Sequence, residues 1–269
     1  MKHSYTLLVL FLACCFPSTV GAQQGSQSVY YHLSYRSVPI ENDAAFMQYI
    51  SDIIKPMFVE EVDIGRLSGW FVYRTRYVSS EETYNYIFSR AANDLENLEE
   101  AFDGGFEAAV GRVHGNNLDQ INARSQGLSK VVKSELWELN SISVLQTNAP
   151  PARWANVRFF RNNSQRDITR DMLLQNVVAQ FQLARIDRGV SSGWGYFIRR
   201  LPYDNPGSYD TAEINYYDDF DQILGAGIGQ EIWEEIRTDT SILNDNMDRL
   251  LETRTFVKRE LWEMVDYVQ

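Results

Sequence analysis

The hydrophobic pattern of this chain changes period in a fixed order, and the order occurs twice. Phe46, Tyr49, Ile50, Ile53, Ile54, Met57 and Phe58 recur at helical spacing, as do Leu174, Val178 and Phe181. Each helix follows a strand-like run, residues 30–38 and 157–161. Pro56 is expected to kink or end the first helix. Gly65 and Gly189 are placed to cap the helices in a left-handed conformation. A strand then starts at Trp70 or Trp194, turns follow at 79–83 and 202–208, and further strands at 84–91 and 209–217. Asp94 and Asp218 are expected to open the next helices. Each half ends on a strand holding Glu135 or Glu260. The order β-α-β-β-α-β is the ferredoxin-like unit.

The two passes match residue by residue. Asp63-Ile64-Gly65-Arg66-Leu67-Ser68-Gly69-Trp70 aligns with Asp187-Arg188-Gly189-Val190-Ser191-Ser192-Gly193-Trp194. Val132-Lys133-Ser134-Glu135-Leu136-Trp137-Glu138 aligns with Val257-Lys258-Arg259-Glu260-Leu261-Trp262-Glu263. Several identities at nearly one offset, in the same order, indicate a tandem duplication. Pro150 and Pro151 mark a linker. The expected organisation is a leader at 1–22, one repeat at 28–145, a linker at 146–152 and a second repeat at 153–269. The fold class is α+β. A four-stranded sheet with helices on one face must cover the other, so the two repeats are expected to pack sheet to sheet as an intramolecular pseudo-dimeric α/β barrel.

Composition narrows the partners. The formal charge is −11, which argues against a nucleic-acid partner and against anionic membranes. Lys2, the apolar run 5–16 and Val20-Gly21-Ala22 read as a secretory leader, with export to the periplasm or outside a bacterial cell. No later stretch is long and apolar enough for a membrane span. Both cysteines, Cys14 and Cys15, lie in the leader, so the mature chain carries no disulfide or thiolate metal site. Phe11-Leu12-Ala13 matches a lipoprotein cleavage site poorly.

Gly-x-x-x-Gly-Trp entering a strand, Tyr84-Asn85 or Tyr209-Asp210 opening the next, and Glu-Leu-Trp-Glu in the last together resemble a group of exported bacterial proteins. The layout resembles the dimeric α/β-barrel superfamily, which includes antibiotic-biosynthesis monooxygenase-like domains. That resemblance covers both halves. It implies the barrel, but not a function: members include cofactor-free oxygenases, isomerases, haem proteins and proteins of no known activity.

Alternate strand residues face the barrel interior. Ala212, Ile214 and Tyr216 are expected on the helix-packed face, leaving Tyr209, Thr211, Glu213 and Asn215 inward, with Tyr84, Tyr86, Phe88 and Arg90 as their counterparts. Glu135, Trp137, Glu260 and Trp262 are expected inward, as are Phe71, Tyr73, Thr75, Phe197 and Arg199. The first strand is ambiguous, with polar His32 against apolar Val157. This gives an aromatic-walled cavity holding carboxylates. Glu135, Glu260 and Glu213 are the candidate general bases, since burial raises a carboxyl pKa. Tyr84, Tyr209, Trp137, Trp262, Arg199 and His32 are the candidate ligand-binding residues. The competing explanation is that the carboxylates pair with Arg or Lys, or lie in water at a sheet edge. The second half has more expected inward charge.

Trp70 and Trp194 are read as core plugs. His32 and His114 lack zinc spacing and the second half has no histidine, which disfavours haem. The acidic run at 218–221 reads as a helix start rather than a cation site. No metal and no cofactor is expected. The first functional reading is an exported envelope protein, binding or structural, whose barrel holds a small apolar or aromatic ligand. The alternative is a cofactor-free oxygenase or isomerase with an inward Glu as base.

Overall fold

The computed structural model describes residues 28–77, 83–100, 105–115, 117–140, 144–145, 150–163, 168–202, 208–225, 231–232, 234–235 and 242–269. The expected leader at 1–22, the linker residues 146–149 and most of each expected turn (79–82 and 203–207) lie outside the described residues.

The first half runs β1 (Val29–Ser37), α1 (Asp43–Tyr49), α2 (Lys55–Asp63), β2 (Gly69–Tyr77), β3 (Tyr86–Ala92), the short helices α3 (Leu95–Glu100), α4 (Gly105–His114) and α5 (Leu118–Ser125), and β4 (Lys130–Leu139). A two-residue strand, β5 (Val144–Leu145), leads on. The second half runs β6 (Trp154–Asn162), α6 (Ile168–Leu173), α7 (Ala179–Asp187), β7 (Gly193–Leu201), β8 (Thr211–Tyr217), α8 (Phe220–Leu224), α9 (Ile242–Thr253) and β9 (Arg254–Val268).

Pro56 does not end its helix. A wider π turn, Ile50–Ile54, joins α1 to α2, and Pro56 sits in the first turn of α2, where the missing N–H is tolerated. The second half has a π turn at the matching place, Leu174–Val178, without a proline. Gly65 and Gly189 end α2 and α7 with φ of 74° and 68°. Asp94 Oδ1 accepts from the Glu96 amide, as expected of a cap. In the second half the cap is one residue later than expected: Asp219 accepts from the Asp221 amide and forms a capping box with Gln222. The acidic run therefore opens α8.

The strands lie in the order β4-β1-β3-β2-β9-β6-β8-β7, and β4 also pairs with β7. Every pairing is antiparallel, so eight strands close into a barrel. β5 extends the β7 edge through Val144–Trp194 and Leu145–Gly193. The expected α/β barrel is present, with the inner faces of the two sheets covering each other. The sheets also join edge to edge, β2 along β9 from Trp70–Val268 to Tyr77–Leu261, and β4 along β7 from Leu136–Leu201 to Leu139–Phe197. Closure pairs both outer strands of each four-stranded sheet, edges that an open pair of sheets would expose.

The helices cover the outside. Phe46, Ile50, Ile53, Met57 and Phe58 pack on Trp70, Val72, Tyr86 and Phe88 of the first half. Trp70 is fully buried and stacks on Phe58 at 4.8 Å, and Trp194 is buried beside Leu174 and Val178 in the second. Both tryptophans are therefore core plugs. No helix among the described residues is long and apolar enough to cross a membrane.

Candidate functional site

Alternation along the strands carries one set of side chains into the barrel. Tyr31, Leu33 and Tyr35 enter from β1, Phe71 and Tyr73 from β2, Phe197 from β7, and Trp137 and Trp262 from β4 and β9. On β8 the expected register is reversed. Ala212, Ile214 and Tyr216 line the interior, while Thr211, Glu213 and Asn215 lie buried on the helix side. On β3 the interior receives Ile87 and Ser89, while Tyr86 and Phe88 pack under the helices and the Arg90 guanidinium lies over Phe58. Polarity misled the reading because the helix layer of the second half is itself polar. Arg254 bonds Glu213, and Arg185 Nη1 donates to Asn215 Oδ1 at 3.0 Å. Glu213 is therefore outside the barrel. So is His32, near Arg36 and Arg90 on the helix side, where burial and those two cations push its pKa down to about 3.

The remaining expected site residues meet at one end of the barrel. Glu135 is 4% exposed and Glu260 1%. Glu135 accepts from Tyr35 Oη at 2.9 Å, Tyr209 Oη at 2.8 Å, Trp137 Nε1 at 3.1 Å and Lys133 Nζ at 3.2 Å. Arg199 stands 3.9 Å away and donates to Ser208 Oγ at 2.6 Å. Glu260 accepts from Trp262 Nε1 at 2.7 Å, from Lys258 Nζ at 2.7 Å and from Tyr84 Oη. The tyrosines cross between halves: Tyr84 reaches Glu260 and Tyr209 reaches Glu135. Each carboxylate is thus paired with a lysine two residues before it on its own strand and screened by an indole two residues after it.

Burial dominates the electrostatics. It raises the Tyr35 and Tyr209 pKa values well above the ordinary range, with Glu135 adding to the effect, because a phenolate beside a carboxylate is doubly disfavoured. It lowers the Lys133 pKa, against the pull of Glu135. Lys133 Nζ also lies 4.1 Å from the Tyr35 ring centre, and Lys258 Nζ lies 4.9 Å from that of Phe159. Lys133 and Lys258 were missed at the sequence level. The signal was available: Lys133, Glu135 and Trp137 alternate, as do Lys258, Glu260 and Trp262, so any rule that sends the Glu inward sends the Lys with it.

Beyond the indoles the barrel is nearly solid. Trp137 and Trp262 help to line a void of about 40 Å3, enough for a water molecule or two. Past Tyr31, Tyr73 and Tyr216 it gives onto a funnel of about 450 Å3 that also touches Phe71, Met264 and Asp218. Burial pushes the Tyr31 pKa up to about 12. Glu135 and Glu260 line neither space.

No protein-family model and no curated protein matches the chain. Among solved structures it is similar to a candidate monooxygenase from Fusobacterium nucleatum, at 8% identity over 89% of this chain and 93% of that chain, TM-score 0.52. It is also similar to a chlorite dismutase from Candidatus Nitrospira defluvii (11%, 90% and 93%, TM-score 0.48) and a heme-binding protein from Thermus thermophilus (11%, 89% and 92%, TM-score 0.47). At these identities the likeness is one of fold. It agrees with an α+β chain of the dimeric α/β-barrel kind, closed by eight antiparallel strands.

The expectation of an envelope protein holding an apolar ligand is corrected on two grounds. The chain shares its fold with a candidate monooxygenase, and the barrel centre has no room for such a ligand but contains a charged, hydrogen-bonded cluster. An imidazole-ligated haem does not fit that interior. Both described histidines lie outside it, and His114 Nε2 bonds the Ile53 carbonyl at 3.0 Å.

Proposed function

We propose that the chain is an enzyme, a cofactor-free oxygenase or isomerase, in which Glu260 takes a proton from a small carbon acid at the lysine end of the barrel. The observation that carries this is the Glu260–Lys258–Tyr84 group, a carboxylate 1% exposed and held 2.7 Å from a lysine and within reach of a phenol. Lys258 is the counter-ion of this carboxylate, and a positioned carboxylate is a general base. Glu260 accepts from fewer donors than Glu135, so more of its acceptor capacity is open to a substrate proton. Lys133 is the more open of the two lysines and offers positive charge to an anion forming beside it. The carbanion is reprotonated at another carbon in an isomerase. In an oxygenase it adds dioxygen and then a proton, giving a hydroperoxide.

The barrel is read here as two tandem ferredoxin-like repeats, 28–145 and 153–269. The matched strand orders, the π turns 124 residues apart and the crossed tyrosines support that reading. Export rests on the leader-like residues 1–22 alone.

The test is a panel of phenolic and 1,3-dicarbonyl compounds offered to the purified protein with an oxygen electrode and product analysis. Oxygen uptake, or isomerised product without uptake, is expected for at least one class and is lost in Glu260→Gln. Inactivity across the panel, or activity indifferent to Glu260, contradicts the proposal.

A further inference from the structure

On the opposite face of the first-half sheet from the barrel lies a second cavity, of about 240 Å3, between β1, β3, α1 and α5. Its walls include the apolar side chains of Phe46, Phe88 and Leu128. Into it faces Arg36, whose guanidinium lies 4.8 Å from the Phe88 ring centre. Arg36 Nη1 donates to Ser129 Oγ at 3.1 Å and its Nε is buried without an acceptor. Among the described residues no carboxylate pairs with it. The potential around it is positive on the sheet side as well. Arg36 and Arg90 each disfavour a proton on His32, and Arg36 disfavours the charge on Arg90.

A guanidinium drawn partly out of water without a counter-ion is costly; Arg254 has Glu213 and Arg185 has Gln182, Asn215 and Tyr217, whereas the half-buried Arg36 has Ser129 and opens onto a cavity. The cavity also presents hydroxyls at Ser125 and Ser129. We propose that it is a binding site for a small organic monocarboxylate with an apolar or aromatic tail. The carboxylate pairs with Arg36 and the Ser129 hydroxyl, and the tail lies on Phe46, Phe88 and Leu128. A single guanidinium, the one cation among the described residues of a wall of mixed polarity, suits one carboxylate better than a phosphate, whose second charge would lack a partner. The site shares no residue with the Glu260 group and stands whether or not that group is catalytic.

The experiment is isothermal titration of the full chain with phenylacetate and with its neutral isostere phenylacetamide. Phenylacetate is expected to bind one site per chain, more tightly than the amide by about tenfold to a hundredfold. Arg36→Met, which keeps a stem over Phe88, is expected to abolish that preference, and Arg36→Lys to keep part of it. Equal binding of acid and amide, no binding of the acid, or an unchanged preference in Arg36→Met overturns the proposal. If Arg36→Met fails to fold by circular dichroism, Leu128→Trp decides. It fills the cavity and leaves Arg36 in place, so lost phenylacetate binding supports the site and retained binding overturns it. Binding is expected to survive Glu260→Gln, which separates this site from the barrel.

Discussion

Tyr35 and Phe159 hold equivalent places in β1 and β6, each paired across the sheet with the lysine of its own half, and only Tyr35 has a hydroxyl to give a carboxylate. Tyr35 lies opposite Lys133 and bonds Glu135 at 2.9 Å; Phe159 lies opposite Lys258 and leaves Glu260 one donor short. That single difference makes two otherwise matched carboxylates chemically unequal. Tyr35→Phe is expected to destabilise the fold by about 1–3 kcal/mol, the range for a hydrogen bond to a charged group, read by urea denaturation. Phe159→Tyr supplies the missing donor and is expected to slow proton abstraction, read as a lower exchange rate, because a hydrogen bond to the charged carboxylate must be given up as the proton is taken.

Lys258→Met leaves Glu260 charged and buried without its cation. The expected loss of stability is about 3–5 kcal/mol. Adding Glu260→Leu removes the stranded charge and is expected to recover part of that loss. A double-mutant cycle by denaturation measures the coupling, and additive losses would mean the pair is not coupled.

Acid and alkaline limits have different sources. The folded pKa of His32 is lowered to about 3, so the unfolded chain takes up that proton first. The stability it contributes is present above about pH 6.5 and falls by at most about 1.4 kcal/mol per pH unit as the pH drops towards 3. His32→Leu is expected to flatten this limb in denaturation curves taken between those pH values. The buried tyrosines act in the other direction. Tyr31, Tyr35, Tyr73, Tyr209 and Tyr216 have folded pKa values above the ordinary one, so their contribution is full below about pH 10 and is lost above it. Exposed tyrosines in general ionise gradually around pH 10, and the tyrosinate absorbance of these five buried residues is expected to appear in a further step that coincides with unfolding.

Each half alone would expose two sheet edges, β2 and β4 or β7 and β9, that are paired in the whole chain. Residues 28–145 expressed alone are expected to associate with a second copy through those edges, giving a dimer in light scattering. A stable monomer would argue against duplication as the origin of the barrel.

Much of this was legible from sequence, for physical reasons. The two Gly caps, the Trp plugs and the inward Glu135, Trp137, Glu260 and Trp262 follow from period and turn chemistry, which are local. The facing of β8 was not legible, because the rule that polar residues face away from the helices fails where Arg185 and Arg254 make that layer polar. Closure by edge pairing depends on β2 meeting β9 across nearly the whole chain, and no local pattern encodes it. Lysines are tolerated in the cluster because each has a carboxylate beside it, Lys133 with Glu135 and Lys258 with Glu260. That Arg36 has Ser129 and Phe88 beside it but no carboxylate among the described residues was not legible, since it depends on what the fold brings around it.

The most direct test of the barrel as a proton-abstracting site is hydrogen–deuterium exchange at carbon, followed by NMR in oxygen-free D2O with an acidic 1,3-dicarbonyl compound. Working without oxygen isolates the first step from whatever follows. The wild-type protein is expected to accelerate exchange over the uncatalysed rate, and Glu260→Gln to lose about 100-fold or more of that acceleration. Exchange no faster than in buffer, or equally fast in the wild type and Glu260→Gln, would contradict the account.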